Sequence, residues 1–414
     1  MRRRDICVIS FVKNARILVD SAADFWYHSI VMDTVIFFAS ATRHSCRKRV
    51  AGVQRYFDNS DIQVVVVESN YSHINVKKVL DFWHPVGCIA ECGSDMDEYR
   101  PELFGNIPTV YLDRDPSLGQ KIKFSVNADL AASAEIAAKE LLALGYEDYA
   151  FVGFPLPLFW SKKRENAFCA AIRLNGRRCH VFDGKGKTGT RRISALRAWI
   201  KTLPKPCGIL AAFDGTAEEL LNACTLEGIR VPEDFAVLGI DNNDEICEHT
   251  KPTLSSVCPD FEHAGFMCGE LLDLQLRNPN AKGETRTFGI IGVVKRKSTT
   301  VVKRNDTKVA AAIEFIRLHA AEGIGVGDVA AHMSCSRRTA ETRFLRLVGH
   351  TIQAEIRNVR MAKAFALLRN PRQTIEGIAH LCGYDSDSTL RYAFKAKTGL
   401  SMREWRIKNG ITRH

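Results

Sequence analysis

The chain has 414 residues and a formal net charge of +11, and 46% of its residues are hydrophobic while 25% are charged. This length is more than one hydrophobic core usually covers, so two or three domains are expected. The composition is that of an ordinary globular protein. The chain has no run of about 20 apolar residues, which excludes a membrane-spanning helix.

The first 31 residues differ from the pattern that follows them. Their opening resembles a signal peptide, but the apolar stretch is short, lies between Asp5 and Lys13, and is not followed by a small-residue cleavage site. A regular strand pattern begins at Met32, directly before the apolar run 35–38. We interpret Met32 as the true start and residues 1–31 as an upstream translation artefact, which the intact mass of the native protein would test.

Residues 33–300 alternate short apolar runs with helix-length amphipathic stretches. Apolar runs of this length are typical of buried parallel strands. Two successive series of this pattern predict two doubly wound α/β lobes with parallel sheets. The predicted strands are 35–39, 64–68, 86–90, 109–112, 149–153, 208–213 and 235–240, and the predicted helices are 46–57, 131–144, 162–174 and 217–227.

Polar side chains follow several of these strands, where doubly wound folds bind their ligands. Asp214, Asp241 and Asn242 come directly after two strands, and Arg164 is predicted to open a helix after the loop 154–160. Carboxylates accept hydrogen bonds from hydroxyl groups and arginine donates a planar fork, so the set predicts a sugar or polyol site in the cleft between the lobes. An alternative is that the aspartates only cap the next helix. Further candidates are an aromatic cover from Trp160 or Phe213 and the residues after the first strand, Ser40, Arg43 and Arg47.

Thirteen cysteines are spread along the chain without paired spacing. An odd number without a framework indicates reduced thiols and a cytoplasmic protein. Cys88 and Cys92 are close enough to suggest a metal site, but no second Cys or His pair completes four ligands. We therefore predict core thiols at these positions, with no metal and no other cofactor.

Two helix-turn-helix patterns occupy residues 326–349 and 374–399. In each, a short helix with an apolar face leads through a tight turn to a second helix rich in Arg and Lys, predicted to open at Ser336 and at Asp387. A connecting helix over 350–369 would let both second helices enter major-groove segments roughly 34 Å apart. Residues 306–414 also hold 18 Lys and Arg against 10 Asp and Glu. A basic surface alone is usually just solvated, but together with the two patterns it predicts binding to double-stranded DNA.

The second helix of each pattern is its recognition helix, and the polar face of this helix supplies the predicted DNA contacts. Phe344 and Phe394 lie on the opposite faces and are predicted to be core. The apolar faces of the preceding short helices are Val329, Ala330 and Met333 in the first pattern and Ile375, Ile378, Ala379 and Leu381 in the second. The predicted DNA contacts are Arg337, Arg338, Glu341 and Thr342 in the first pattern and Ser386, Asp387, Thr389, Arg391 and Lys395 in the second.

The C-terminal segment resembles the arabinose-regulator (AraC/XylS) family. The matching positions of the second unit are Ile378, Ala379, Cys382, Gly383, Ser388, Leu390, Phe394, Lys395, Gly399, Ser401 and Arg406, and those of the connector are Arg360, Ala364, Leu367 and Leu368. Met402 and Trp405 stand where the family favours Pro and Tyr, and Ala340 stands where it favours Leu in the first unit. The resemblance implies an all-α domain with tandem helix-turn-helix units over 307–409, after a linker at 301–306.

The preceding part is similar to the lactose-repressor and periplasmic-binding-protein-like sensors, in the variant fused to an AraC-type domain. The stretches that carry this resemblance are 160–168, 239–242, 254–257 and 296–299. It implies a sensor over 33–300 in which Arg164, Asp214 and Asp241 contact effector hydroxyl groups. The expected function is a transcription regulator switched by a small sugar. The alternatives are a carbohydrate-active enzyme that uses Asp214 and Asp241 as an acid/base pair, and a free-standing solute-binding protein.

The resemblance also bears on partners and on coupling. Sensors of this fold dimerise, so a homodimer with four helix-turn-helix units is expected, and RNA polymerase is a candidate partner. The segment 298–306 is short, polar and β-branched, and we expect it to transmit a change of the sensor to the DNA-binding region. The sequence does not distinguish pentose, hexose or sugar acid as the effector, nor activation from repression.

Overall fold

The computed structural model describes residues 33–39, 44–68, 75–92, 99–115, 122–184, 186–300, 307–370 and 372–409. The hypothesis about residues 1–31 lies outside these described residues, as do Ser40, Arg43 and the predicted linker 301–306. Two compact units are present, and the chain passes between them more than once. The first holds the residues up to Asp129 together with Leu158–Trp160 and Pro259–Gly289, and the second holds the rest.

The elements of the sensor region are, in chain order, β1 (Asp33–Ala39), α1 (His44–Phe57), β2 (Ile62–Glu68), α2 (Val76–Trp83), β3 (Gly87–Glu91), β4 (Thr109–Leu112), β5 (Phe124–Ala128), α3 (Leu130–Leu142), β6 (Asp148–Val152), α4 (Phe159–Leu174), β7 (Arg178–Val181), α5 (Gly189–Ile200), β8 (Cys207–Ala211), α6 (Asp214–Leu226), β9 (Phe235–Ile240), α7 (Asp244–Cys247), β10 (Ser255–Pro259), α8 (Phe261–Arg277), β11 (Glu284–Phe288) and β12 (Ile290–Val294). The DNA-binding region contains α9 (Thr307–His319), α10 (Val326–His332), α11 (Arg337–Val348), α12 (Ile352–Leu368), α13 (Ile375–Leu381), α14 (Asp387–Thr398) and α15 (Met402–Lys408).

The sheet of the first unit has the strand order β11-β5-β4-β3-β1-β2, and its neighbouring strands run parallel. Helix α8 packs on this sheet beside α1, and two glycines allow the helix backbones to touch. A Cβ on Gly52 would lie 1.9 Å from the carbonyl oxygen of Glu262, and one on Gly265 would lie 1.9 Å from that of Arg49. Cys88 is buried in this unit and Cys92 packs against the same cluster, as predicted for core thiols.

The sheet of the second unit has the order β12-β10-β9-β8-β6-β7. Strands β6, β8 and β9 are buried along their whole length, which explains why their sequences are apolar apart from Asp148 at the start of β6. The predicted two-lobed α/β architecture is therefore confirmed. The expectation that each of the two successive series forms one lobe was wrong, because α8 and β11 follow β10 in the chain yet belong to the first unit.

The DNA-binding region has two hydrophobic clusters, one for each helix-turn-helix unit. The first cluster contains Phe344 and the second contains Phe394, and both side chains are fully buried, as predicted. Helix α12, the predicted connector, contributes its first half to one cluster and its second half to the other. Leu381 was predicted on the apolar face of α13, but it is 42% exposed.

Candidate functional site

Arg164 and Asp241 meet at the carboxyl ends of two strands in the second unit. Helix α4 begins at Phe159, so Arg164 lies in its second turn. The prediction that Arg164 opens this helix was wrong. The guanidinium is buried, donates to the carbonyl oxygen of Ala212 at 2.6 Å, and lies 3.6 Å from the Asp241 carboxylate. This pair places a planar donor and a carboxylate acceptor together at the end of β8 and β9.

The loop after β9 has an unusual backbone. Asp241 has a φ of 109° and Asn242 a φ of 47°, values that residues with a side chain rarely adopt. The Asp241 amide donates to the carbonyl oxygen of Val257 at 2.9 Å, and the Asn242 amide donates to the hydroxyl of Ser256 at 3.0 Å. Backbone strain held by its surroundings in this way is typical of functional sites.

Asp214 lies beneath this loop and is only 1% exposed. One carboxylate oxygen accepts from the Ser256 hydroxyl at 2.6 Å, and the other accepts from the Asn243 amide at 2.7 Å and contacts the Cys247 thiol at 3.4 Å. The N-cap position of α6 is Phe213, so Asp214 does not cap that helix. Burial, together with repulsion from Asp241, raises the pKa of Asp214 to about 7 against the opposing effect of its hydrogen bonds. These contacts tie α6 to the loop 241–243, and the predicted contact of Asp214 with the effector stays a prediction.

The other predicted effector residues are distributed over both units. Phe213 lies at the start of α6, with its ring 5.6 Å from that of Phe154. Trp160 lies in the first turn of α4 but belongs to the first compact unit, and Arg47 is an exposed residue of α1 in that unit.

The first unit contains a charged cluster at its own strand ends that we did not predict. Arg49 pairs with Glu91 at the end of β3 and with Asp113 directly after β4. The guanidinium lies 4.9 Å from the ring centre of Phe261 and 5.7 Å from that of Phe288. Asp113 follows a correctly predicted strand, so the strand-end argument used for Asp241 could have identified it.

The recognition helices α11 and α14 begin in the same way. The hydroxyl of Ser336 accepts from the Thr339 amide at 3.2 Å, and that of Ser386 accepts from the Thr389 amide at 3.3 Å. Ser386 is therefore the N-cap of α14, and the prediction that Asp387 opens the helix as its cap was wrong by one residue.

Alignment of the two caps pairs each predicted contact of α11 with a residue of α14. Arg337 and Arg338 are exposed, as are Arg391 and Lys395, whereas Asp387 is half-buried. The residue that corresponds to Thr342 is Tyr392, which is 81% exposed and was not among the predicted contacts. Ser386 and Thr389 hold the start of the helix, with their hydroxyls 3.0 Å apart.

Comparison with known proteins links both regions to transcription regulators. Residues 138–299 match a periplasmic binding protein-like domain, and residues 329–408 match a helix-turn-helix domain. The xylose operon regulatory protein of Haemophilus influenzae is 30% identical over 287 residues, which cover 68% of this chain and 74% of that protein. Its Escherichia coli K12 counterpart is 28% identical and covers 91% of this chain and 97% of its own length. The chain belongs to the xylose operon regulatory protein family.

A solved structure of the same family extends over almost the whole chain. The structure of the xylose-binding transcription activator xylR has a TM-score of 0.55 and 25% identity, and the match covers 92% of this chain and 98% of that one. The lac repressor dimer bound to operator matches with a TM-score of 0.52 and 19% identity, which shows a shared fold. This member of the xylose operon regulatory family thus combines a LacI-like sensor with an AraC-type DNA-binding domain. Among its described residues, no helix is both long and apolar enough to cross a membrane.

Proposed function

We propose that this protein is a sugar-responsive transcription regulator whose effector is a small sugar of the xylose type. In this proposal residues 33–300 form the sensor, 301–306 the linker and 307–409 the DNA-binding domain. The names of the family relatives support a xylose-related effector, and the proposal keeps the sequence-based expectation that the sugar is held between the lobes.

The observation that carries the proposal is the pairing of Arg164 with Asp241 at 3.6 Å. A guanidinium and a carboxylate side by side can donate to one sugar hydroxyl and accept from its neighbour, which suits the vicinal hydroxyls of a pentose. Asp214 would serve this pair indirectly by holding the loop 241–243. The relatives are regulators rather than enzymes, which supports a binding role for these carboxylates over a catalytic one.

The DNA partner in this proposal is a duplex operator contacted by α11 and α14. Arg337, Arg338 and Glu341 would face the groove from the first helix, and Arg391 and Tyr392 from the second. A homodimer is proposed because a lac repressor of the same fold is a dimer on its operator. RNA polymerase would be a further partner if the protein activates transcription, as the xylR relative is described to do.

The experiment that tests the sensor is calorimetric titration of the full chain with D-xylose, D-ribose, L-arabinose and D-glucose. We expect saturable heat with D-xylose that is lost in Asp241→Asn. The matched control is Asp234→Asn, because Asp234 pairs with Arg230 at 2.5 Å in the same lobe, away from the loop 241–243. If none of the four sugars binds the wild type, or if Asp241→Asn binds as tightly as the wild type, the proposed effector site is wrong.

A further inference from the structure

A continuous series of polar contacts joins the loop 241–243 to the first helix of the DNA-binding region, within the second compact unit. The side-chain oxygen of Asn242 accepts from Arg296 at 2.9 Å. The same guanidinium donates to one carboxylate oxygen of Glu248 at 2.7 Å. The second oxygen of Glu248 accepts from Arg317 of α9 at 3.3 Å. Asn242 is thus connected to α9 through two side chains.

Arg296 is a fixed part of this series because it is 6% exposed and held on several sides. Its guanidinium also donates to the carbonyl oxygen of Leu254 at 3.0 Å, and its amide donates to the hydroxyl of Ser255 at 2.7 Å. Two residues later, Ser298 is fully buried and donates to the carbonyl oxygen of Val237 at 2.6 Å. A buried guanidinium cannot replace a lost partner with bulk water, so a displacement of Asn242 has to move Arg296 or break their hydrogen bond.

The contact with α9 is of a different kind, because its side chains reach solvent. The side chain of Glu248 is 39% exposed and that of Arg317 is 30% exposed. A second pair runs parallel to it, with the Lys297 ammonium 3.6 Å from Glu314, which also accepts from Arg317 at 3.0 Å. Ion pairs at such exposure are weak and easily exchanged, so this end of the series can be made and broken while the fold stays intact.

We infer that Glu248 couples the occupancy of the sugar site to the orientation of the DNA-binding region, by holding α9 through Arg317 in one of two states of the loop 241–243. The inference rests on the proposed function, since it assigns the regulation of that same site. Effector bound at Asp241 shifts its strained neighbour Asn242, and Arg296 moves with Asn242. As a result, the ion pair between Glu248 and Arg317 forms or breaks. Such a bistable contact transmits binding because the effector favours one of its two arrangements.

The competing interpretation is that Glu248 only fastens α7 to the end of the sensor. Both interpretations predict that Glu248→Gln lowers thermal stability slightly. They differ in the effect that substitutions of Glu248 and of Arg317, which lies on α9, have on the change of DNA affinity caused by sugar. A purely structural Glu248 leaves that influence unchanged.

The test measures the dissociation constant for DNA with and without D-xylose, by fluorescence anisotropy at one salt concentration. The probe is a duplex that the wild-type full chain selects from a random-sequence pool. The variants are Glu248→Gln, Arg317→Gln and the charge-preserving Arg317→Lys. The matched control is Glu227→Gln, because Glu227 also follows the last residue of a helix of this lobe and accepts from two cations, Arg197 and Lys201.

We expect the ratio of the two dissociation constants to move at least threefold towards one in Glu248→Gln and Arg317→Gln. It should stay within twofold of the wild type in Arg317→Lys and Glu227→Gln, and calorimetry should show saturable D-xylose binding in all four variants. Unchanged ratios in both glutamine variants, with sugar binding intact, would overturn the inference and leave the proposed function standing.

If the wild type does not bind D-xylose, the proposed effector is refuted. The role of Glu248 can then still be tested by a measurement that needs no sugar. The double variant Glu248→Gln, Arg317→Gln completes a cycle in sugar-free DNA affinity. If the pair holds α9, the second substitution adds less than a twofold change once the first is present. Additive effects would show that the two residues act independently and would overturn the inference by themselves.

Discussion

Replacing Asp214 with asparagine should change how the stability of this chain depends on pH. The carboxyl is 1% exposed, and its pKa is raised from its ordinary value near 3.8 to about 7, chiefly by burial. A difference of this size between the unfolded and folded states corresponds to roughly 4 kcal/mol of free energy. Asparagine keeps the shape of the side chain but does not titrate.

The sign follows from the direction of the pKa change. A pKa that is higher in the folded state means that folding is favoured while the group is protonated, and that this advantage is lost as the pH rises. The stabilisation is complete below about pH 4, the ordinary pKa, and is gone above about pH 7. The free energy of unfolding of the wild type, minus that of Asp214→Asn, should therefore fall by roughly 4 kcal/mol across this window.

Urea unfolding of both proteins, followed by tryptophan fluorescence from pH 4 to pH 8, measures this difference. The contributions of the other titrating groups cancel because both proteins contain them. Asp234→Asn is the control, because a hydrogen bond from Arg230 lowers the pKa of Asp234. Its contribution is present above the ordinary pKa near 3.8 and is lost only as the pH falls below that value, so its difference should stay nearly flat from pH 4 to pH 8. A difference for Asp214→Asn that is flat, or that grows with pH in favour of the wild type, would refute the reasoning.

Three further predictions concern the DNA-binding region. Arg338→Ala should remove about 1–3 kcal/mol of discrimination at one base pair, whereas Lys395→Ala should weaken all duplexes similarly; binding to systematically mutated operators separates the two outcomes. Tyr392→Ala should lower operator affinity about tenfold, roughly 1.4 kcal/mol, because its ring would pack against a base, whereas Leu226→Ala, a change at an exposed apolar residue of α6 outside the DNA-binding region, should leave affinity within twofold. Phe394→Ala should destabilise the second helix-turn-helix unit by about 3–5 kcal/mol, which would lower the urea concentration at which this unit unfolds. An unshifted transition would contradict the place of Phe394 in the core.

The strands at the centre of each sheet could be predicted because burial on both faces gives them uninterrupted apolar sequences. Strand β9 has the predicted bounds, and the approach of Arg164 to Asp241 follows because β6, which leads into α4, and β9 both run parallel to β8 in one sheet. The edge strands β7 and β11 were missed because their exposed faces carry polar residues and leave no apolar run. The return of α8 to the first unit depends on contacts between distant parts of the chain, such as Gly265 with Arg49, which periodicity does not reveal.

The role of Asp214 shows a second limit. Of the two alternatives considered from sequence, the effector contact stays a prediction, and the helix cap, which depends on neighbours in the chain, is wrong. Its actual partners, Asn243 and Ser256, lie 29 and 42 residues away. The cap of α14 illustrates the same point on a smaller scale, because both Ser386 and Asp387 are good capping residues and only the geometry distinguishes them.

The shared helix α12 has a consequence for how the two helix-turn-helix units cooperate. It is 17 residues long, about 25 Å, and each half is built into the core of a different unit. Once one unit is on its half-site, the other is held at a high effective concentration, but only along the direction that the helix allows. Operators with five extra base pairs between the half-sites would turn the second site to the opposite face of the duplex. Binding would then fall to the strength of a single unit, whereas a flexible tether would lose much less.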